Sequence, residues 1–411
     1  MTPAATRDAR RGLLLTALLL YALNLRGPIT AMAPVVGEVS ADLHLTAASA
    51  GLLTGLPVLC YALVTPLAAT LVNRAGTAIA GTVTLLGVLA GTVLRSSGGF
   101  GTALVGTVLI GAAITVGNIT VPVVVARDFA SGVSGVMGAT TAAMNGGAVI
   151  TTIGMAPLAA WVGWRWALVS WSVVVLVGLA AWWRAYGLRP RTRPGEPVAV
   201  AAEPAVRPRV MRRPLTWLLV VTFAFQSASY YALSAWLPTL LHDEAGLSRT
   251  GAGAAAALFQ GFGILGGVLA PVAMGRLRPH ALTVVIGLVW LALPVGLLLA
   301  PAGWSVWASL GGVAQAANYV VIFSVVSTVA GSPAAAGRMS AVVQTAGYVL
   351  AGVAPSVIGA IHTASAGWRV PLLVVAVALA AMAVAHTVAI GALARHRAGA
   401  AAAATTAVPA A

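Results

Sequence analysis

The chain has 411 residues, 60% of them hydrophobic and 8% charged, with a mean hydropathy of +0.97. That balance excludes an ordinary soluble domain. The formal net charge of +15 would suggest nucleic acid in a soluble protein, so it has to be read by its position along the chain.

Apolar runs of spanning length recur twelve times, near residues 13–36, 49–72, 77–95, 101–126, 135–162, 166–186, 215–240, 251–274, 281–300, 304–329, 339–361 and 370–392. At a rise of about 1.5 Å per residue, such runs match a bilayer core of about 30 Å. The first contains Tyr21-Ala-Leu-Asn-Leu-Arg-Gly-Pro-Ile-Thr30, which puts Arg26 near mid-membrane, beside Asn24 and just before a Gly27-Pro28 break. An arginine at that depth costs about 3 kcal/mol on insertion scales and persists only where it faces water, a partner or a ligand. Arg10-Arg11, the apolar Gly12 to Leu23 and Ala31-Met-Ala33 mimic a signal peptide. Pro34 follows the would-be cleavage site, however, and Arg26 and Pro28 interrupt the approach to it, so the segment reads as a retained first helix. Cys60, the single cysteine, lies in the second run and belongs to no disulfide, metal or redox motif.

The later spans hold few polar groups. Asn118 is in the fourth and Asn145 in the fifth; the seventh carries Gln226 and Tyr230 at i,i+4, hence on one face. Gln260 is in the eighth, the tenth has Gln315, Asn318 and Tyr319, and the eleventh has Gln344 and Tyr348 on a shared face. For any one of these amides the competing role is plain hydrogen bonding between packed membrane helices. His386, in the twelfth span, reads as a packing residue ahead of a proton relay. No Asp or Glu falls in the core of a span; Glu38, Asp42, Asp128, Asp243 and Glu244 all sit at ends. Arg26 therefore has no carboxylate at its own depth, and an anionic or strongly dipolar solute would supply one, since a guanidinium fork suits planar anions.

Residues 187–213, rich in Pro and Arg, lack an apolar period and divide the spans six and six. With the N-terminus cytoplasmic, 18 arginines fall on the cytoplasmic side and four, Arg95, Arg165, Arg249 and Arg369, in outer loops, which predicts two cytoplasmic termini. The halves also repeat each other at an offset near 200 residues. Gly163-Trp164-Arg165 matches Gly367-Trp368-Arg369, Asn118 matches Asn318, Tyr21-Ala-Leu matches Tyr231-Ala-Leu, Leu45-Thr46 matches Leu247-Ser248, and Arg74 matches Arg276. In order and at nearly constant offset, these matches argue for a duplicated six-helix unit. The expected organisation is an all-α membrane protein of twelve transmembrane helices, with bundles at 1–186 and 214–397, the linker between them, and a disordered tail at 398–411.

This arrangement resembles the major facilitator superfamily across nearly the whole chain. The superfamily's loop motif Gly-x-Leu-Ala-Asp-Arg-x-Gly-Arg survives in altered form as Ala69-Thr-Leu-Val-Asn-Arg-Ala-Gly76, with Asn73 in place of the acid beside Arg74. Asn24-Leu-Arg-Gly-Pro-Ile-Thr30 is similar to the Asn-Leu-Arg-Pro-x-Ile-Thr of the cyanate and nitroimidazole transporter family, with the proline shifted one place. Tyr230-Tyr-Ala-Leu-Ser-Ala-Trp-Leu-Pro-Thr-Leu-Leu-His-Asp243 and Asn118-Ile-Thr-Val-Pro followed by Arg127-Asp128 resemble that family too. The resemblance implies that the first, fourth, seventh and tenth helices line a central cavity. Arg26, Asn24, Asn118, Gln226, Tyr230, Gln315, Asn318 and Tyr319 would then bind the solute, while Asn73, Arg74, Asn145, Gln260, Gln344 and Tyr348 would gate or pack.

The expected function is secondary transport of a small polar or anionic, cyanate-like solute by alternating access. The alternative is an exporter of nitroimidazole-like or other drug-like compounds. An enzyme should show a convergent nucleophile and base or a metal set, and the sequence offers none. A receptor-like sensor should carry a signalling domain, for which linker and tails are too short. No cofactor, metal or nucleic-acid partner is expected. The partners are a small solute and the lipid of a cell (inner) membrane, and one chain suffices for a pathway.

Overall fold

The computed structural model describes residues 3–187, 214–330 and 333–406, and every regular element among them is a helix. In the N-terminal half these are α1 (Pro3–Leu23), α2 (Gly27–Thr30), α3 (Val36–Asp42), α4 (Ala47–Leu63), α5 (Thr65–Ser96), α6 (Phe100–Asp128), α7 (Val133–Val162) and α8 (Trp164–Tyr186). The C-terminal half contributes α9 (Pro214–Ala245), α10 (Arg249–Arg276), α11 (Pro279–Leu299), α12 (Trp304–Ala330), α13 (Pro333–Ser365) and α14 (Arg369–Thr406).

Eleven helical segments are long and apolar enough to cross a membrane, and α4 is shorter. The twelve expected crossings are recovered once α5 is divided. At Gly76 the backbone takes φ 79°, ψ 164°, a region glycine enters without steric cost, and the chain turns there. The part of α5 before Gly76 continues α4, and the part after it is the third crossing. The first crossing is α1 to α3, and α6 to α14 supply one each. The expected linker lies outside the described residues from 188 on. The expected tail is helical as far as Thr406, consistent with the helix propensity of its alanines, and 407–411 are not described.

Buried apolar side chains fall into two large clusters. One includes Tyr21, Leu25, Met32, Trp171 and Trp182, the other Phe223, Phe259, Trp290, Leu293 and Met382. Leu67, Trp161 and Leu299 are 71%, 83% and 81% exposed, a pattern a lipid-facing surface allows and water would penalise. The repeat shows in the hydrogen bonds. Trp164 Nε1 donates to Asp42 Oδ2 (3.2 Å) and Trp368 Nε1 to Asp243 Oδ2 (2.9 Å), so each half ties the start of its last helix to the end of its first. Thr46 and Ser248, also related by the repeat, accept from Ser49 N and Gly251 N as the N-caps of α4 and α10.

The halves meet at the end of the bundle opposite the chain termini. There α4 runs antiparallel to α13 with almost no side chain between them: a Cβ built on Gly55 would stand 2.0 Å from the Gly352 carbonyl oxygen, and one on Gly359 2.4 Å from that of Ala47. On the other flank Gly253 of α10 packs on Thr152 and Ala156 of α7. The small residues that let backbones approach this closely form the closure.

Arg95, counted from sequence among the outer loops, is instead in the last turn of α5 and 1% exposed. Its Nη1 donates to the Pro28 carbonyl (2.9 Å). A continuous α-helix would give that carbonyl the amide of Met32, but Met32 N bonds to Ile29 O instead. Arg95 thus serves a backbone group that the interrupted first crossing leaves over.

Candidate functional site

The break in the first crossing is local chemistry. Pro28 has no N–H to give the Asn24 carbonyl, and its ring disfavours the helix before it. Asn24 and Leu25 close short turns onto Tyr21 O and Ala22 O, and α2 restarts at Gly27 with Arg26 at its N-cap (φ −128°, ψ −37°). The interruption separates Asn24 from Arg26. Asn24 is fully buried: its Nδ2 donates to Leu20 O (2.8 Å) and Val174 O (3.4 Å), and its Oδ1 accepts from Trp171 Nε1 (3.0 Å). It faces α8 inside its own bundle, away from Arg26.

Arg26 points between the halves. Its Nη1 donates to Asn145 Oδ1 of α7 and its Nη2 to the Tyr230 hydroxyl of α9 (2.8 Å), whose ring also lies 5.4 Å under the guanidinium carbon. Tyr230 passes a bond to Gln260 Oε1 (2.9 Å), and Gln260 Nε2 donates to Ser234 (3.1 Å). Asn145 and Gln260, expected from sequence to gate or pack, are therefore in the immediate network of the charge. Among the described residues the ion pairs are Arg127–Asp128 (2.7 Å) and Arg165–Asp42, both at helix ends. Arg26 bonds to neutral oxygens with two of its five donors.

Of the walls, sequence reasoning named Tyr230, Tyr319 and Tyr348 and missed Tyr61 and Tyr231. The chain has seven tyrosines, and five of them gather here. Tyr61, Tyr230, Tyr231 and Tyr348 lie within electrostatic range of Arg26, and Tyr319 does too. Tyr61 of α4 meets Tyr348 of α13 edge-on across the two halves (5.4 Å), Tyr348 packs on Phe223 (5.3 Å), and Tyr319 on Phe323 (4.7 Å). Asn118 is exposed and lies beside the Tyr61 hydroxyl. Tyr319 is 42% exposed despite lying mid-helix in α12. The missed signal was the number of tyrosines placed inside spans, where interfacial anchoring does not explain them.

The other expected site residues lie elsewhere. Gln226 and Asn318 are 2% and 1% exposed, inside the C-terminal bundle. Asn318 Nδ2 donates to Gln226 Oε1 (2.6 Å) and contacts Met382 Sδ (3.0 Å), while Gln226 Nε2 donates to the Gln315 carbonyl (2.8 Å). The Gln315 side chain lies against Gly263. Gln344 is half-buried one turn before Tyr348, and Asn73 and Arg74 lie beside the Gly76 turn, Arg74 exposed. Trp164 and Trp182, both near span ends, are buried. Trp182 stacks between Tyr21 (4.6 Å) and Tyr186 (4.2 Å) and bonds to Ala78 O (3.0 Å).

The site is thus one guanidinium with donors to spare, walled by phenols and rings, where the two halves join. On the side away from the termini it is backed by the contact of α4 with α13. It holds no arrangement of nucleophile and base and suits binding rather than bond breaking.

Comparison with known proteins agrees with this. The family model of the Major Facilitator Superfamily matches residues 13–355. The 2-nitroimidazole transporter of Escherichia coli (strain K12) is 30% identical over 377 residues, covering 91% of this chain and 94% of that protein. The cyanate transport protein CynX of the same organism is 25% identical over 385 residues, covering 86% and 91%. Among solved structures, a bacterial homologue of the human lysosomal transporter Spinster, inward-facing and occupied, superposes with a TM-score of 0.74 at 17% identity, covering 92% of this chain and 96% of that one.

Proposed function

This chain belongs to the major facilitator superfamily and is a multi-pass membrane transporter, and we propose that it carries small polar or anionic solutes by alternating access. The observation that carries this reading is Arg26. It is an intramembrane cation whose side chain, among the described residues, bonds to Asn145 and Tyr230 with two of its five donors, within electrostatic range of Tyr61, Tyr231 and Tyr348. A carboxylate, nitro or cyanate-like group would accept the remaining N–H donors in the plane of the fork. Tyr61, Tyr230, Tyr231, Tyr319 and Tyr348 would flank the solute with rings and hydroxyls, and Asn118 would reach it beside Tyr61.

The second reading, export of nitroimidazole-like compounds, is favoured by the rings. Five phenols suit an aromatic solute that can stack, and more so than a bare triatomic anion. The relative named for 2-nitroimidazole is also the more similar of the two transporters compared.

A thermal-shift screen of the purified protein tests both readings. 2-Nitroimidazole and benzoate are expected to raise the unfolding midpoint, cyanate and nitrite less, and the lipophilic cation tetraphenylphosphonium not at all. Stabilisation by the cation alone would overturn the assignment.

The arginine bias supports cytoplasmic termini in a cell (inner) membrane. Single cysteines placed within 188–213, in a Cys60→Ser background, are expected to react with an impermeant maleimide only after permeabilisation. Labelling of intact cells would reverse the orientation. One chain contributes both halves of the site, which supports a monomer as the unit of transport.

A further inference from the structure

His386 is 1% exposed in α14, and one of its ring nitrogens has a partner: Nδ1 lies 2.9 Å from Asn318 Oδ1. The other, Nε2, is buried with none. Which nitrogen holds the proton follows from a group three bonds away. The Gln315 carbonyl can only accept, so Gln226 must turn its Nε2 to it (2.8 Å) and its Oε1 to Asn318. Asn318 must then donate from Nδ2 to that Oε1 (2.6 Å) and turn its Oδ1 to His386. An amide oxygen only accepts, so the imidazole N–H is at Nδ1. Neutral His386 therefore presents a bare lone pair at Nε2; Ser229 Oγ, Trp290 Nε1 and Ser356 Oγ of the same bundle are also buried without partners, but of these four atoms Nε2 alone is a base that takes up a proton near neutral pH.

A packing role does not require this group. At the offset that relates Gly163 to Gly367, the N-terminal half has Trp182, a stacked and satisfied ring. The chain from His386 also ends close to the solute site. Gln226 precedes Tyr230 by one turn of α9, and Tyr230 holds Arg26.

We propose that His386 Nε2 is a proton-binding site whose occupancy sets which side of the transporter is open. A proton from the bulk adds to the Nε2 lone pair, turning imidazole into imidazolium, with no bond broken and no electron transferred. In the arrangement described, the new N–H would have no acceptor. The arrangement closed at α4 and α13 is therefore the unprotonated one, and protonation shifts the population toward the arrangement in which those helices part.

Other titratable groups on the helices packed against α14 are few. They are Tyr230 and Tyr231 with His242, Asp243 and Glu244 on α9, His280 on α11, Tyr319 on α12, and Arg338, Tyr348 and His362 on α13. Asp243 is bonded to Trp368 just before α14, about 27 Å along the helix from His386. The acids of α9 are thus at the far end.

The test needs no solute, so its failure is separate from failure of the assignment at Arg26. Spin labels at Ala41 and Ala364, exposed at the closed end of either half, are placed in a Cys60→Ser background and measured in lipid nanodiscs between pH 8 and pH 5. The long-distance population is expected to grow on acidification, the two-state ratio moving by at most about tenfold per pH unit for one proton. His386→Asn keeps a donor for Asn318 but no titratable nitrogen, and it is expected to hold the high-pH distribution throughout. A variant with His44, His242, His280, His362 and His396 replaced and His386 kept should respond as the parent does. The proposal is overturned by a pH-independent parent, by a full response in His386→Asn, or by loss of the response when only His386 remains.

Discussion

Replacing Arg26 with glutamine is expected to abolish solute binding while leaving the folded protein about as stable as the parent. The two effects separate because they have different origins. Binding loses a charge-assisted, two-pronged contact made at a depth where water does not compete, a loss of at least about 100-fold. Stability loses two charge-assisted hydrogen bonds to neutral oxygens but also sheds the desolvation cost of an unpaired cation, and these offset. Glutamine can still reach toward Asn145 or Tyr230, which limits the buried atoms left without partners. Arg26→Lys keeps the charge and gives up the planar fork, so binding should weaken by about tenfold or more without disappearing. The measurement is isothermal titration of 2-nitroimidazole alongside the unfolding midpoint of each variant. If Arg26→Gln failed to fold while Arg26→Lys bound and transported as the parent does, Arg26 would be a strut joining α2, α7 and α9, and the solute assignment at this residue would be withdrawn.

The depth of Arg26 and the lack of an acid at its level were legible in the sequence, because both follow from counting charges along apolar runs. So were the two halves: the Trp-Arg pairs and the Thr46 and Ser248 caps hold equivalent places in three dimensions. What the sequence did not reveal is which side of each helix faces the site. In a soluble helix the polar stripe marks solvent, but here the lipid face and the packed face are both apolar, and the pattern that would orient Asn145 or Gln260 is erased. Residue spacing still carried one unused clue. Two positions apart on a helix is a rotation of about 200°, so Asn24 and Arg26 were poor candidates for one pocket. The structure turns Asn24 to Trp171 and Arg26 to Tyr230. Asn118 and Asn318 illustrate a second limit. The repeat relates their positions but not their surroundings: one meets Tyr61, the other His386, because those neighbours come from helices that the duplication has since made different.

Alternating access demands that the contact of α4 with α13 open and close, and that contact is where a single substitution should have the largest effect. Gly55→Leu is expected to stop transport, to below about one hundredth of the parent rate, in a protein that still folds. A side chain at this position cannot be placed in the structure as it stands, since its first carbon would lie 2.0 Å from the Gly352 carbonyl oxygen, a backbone atom that no rotamer change can move. Relieving the overlap means separating α4 from α13. The cost of forcing them together, about 3 kcal/mol at the upper end for an overpacked contact, shifts a two-state ratio by more than about 100-fold. The halves keep their own cores, Tyr21 to Trp182 on one side and Phe223 to Met382 on the other, so the fold does not depend on this contact. Gly267→Leu is the control. It lies in a similar membrane helix, but a Cβ there meets nothing within 4 Å, so leucine should leave transport unchanged. Distances between labels at Ala41 and Ala364 report the state directly: the short-distance population should vanish in Gly55→Leu and persist in Gly267→Leu. Normal transport by Gly55→Leu would mean that the α4–α13 contact need not close as tightly as it does here, and the closure would have to be assigned to α7 and α10 alone.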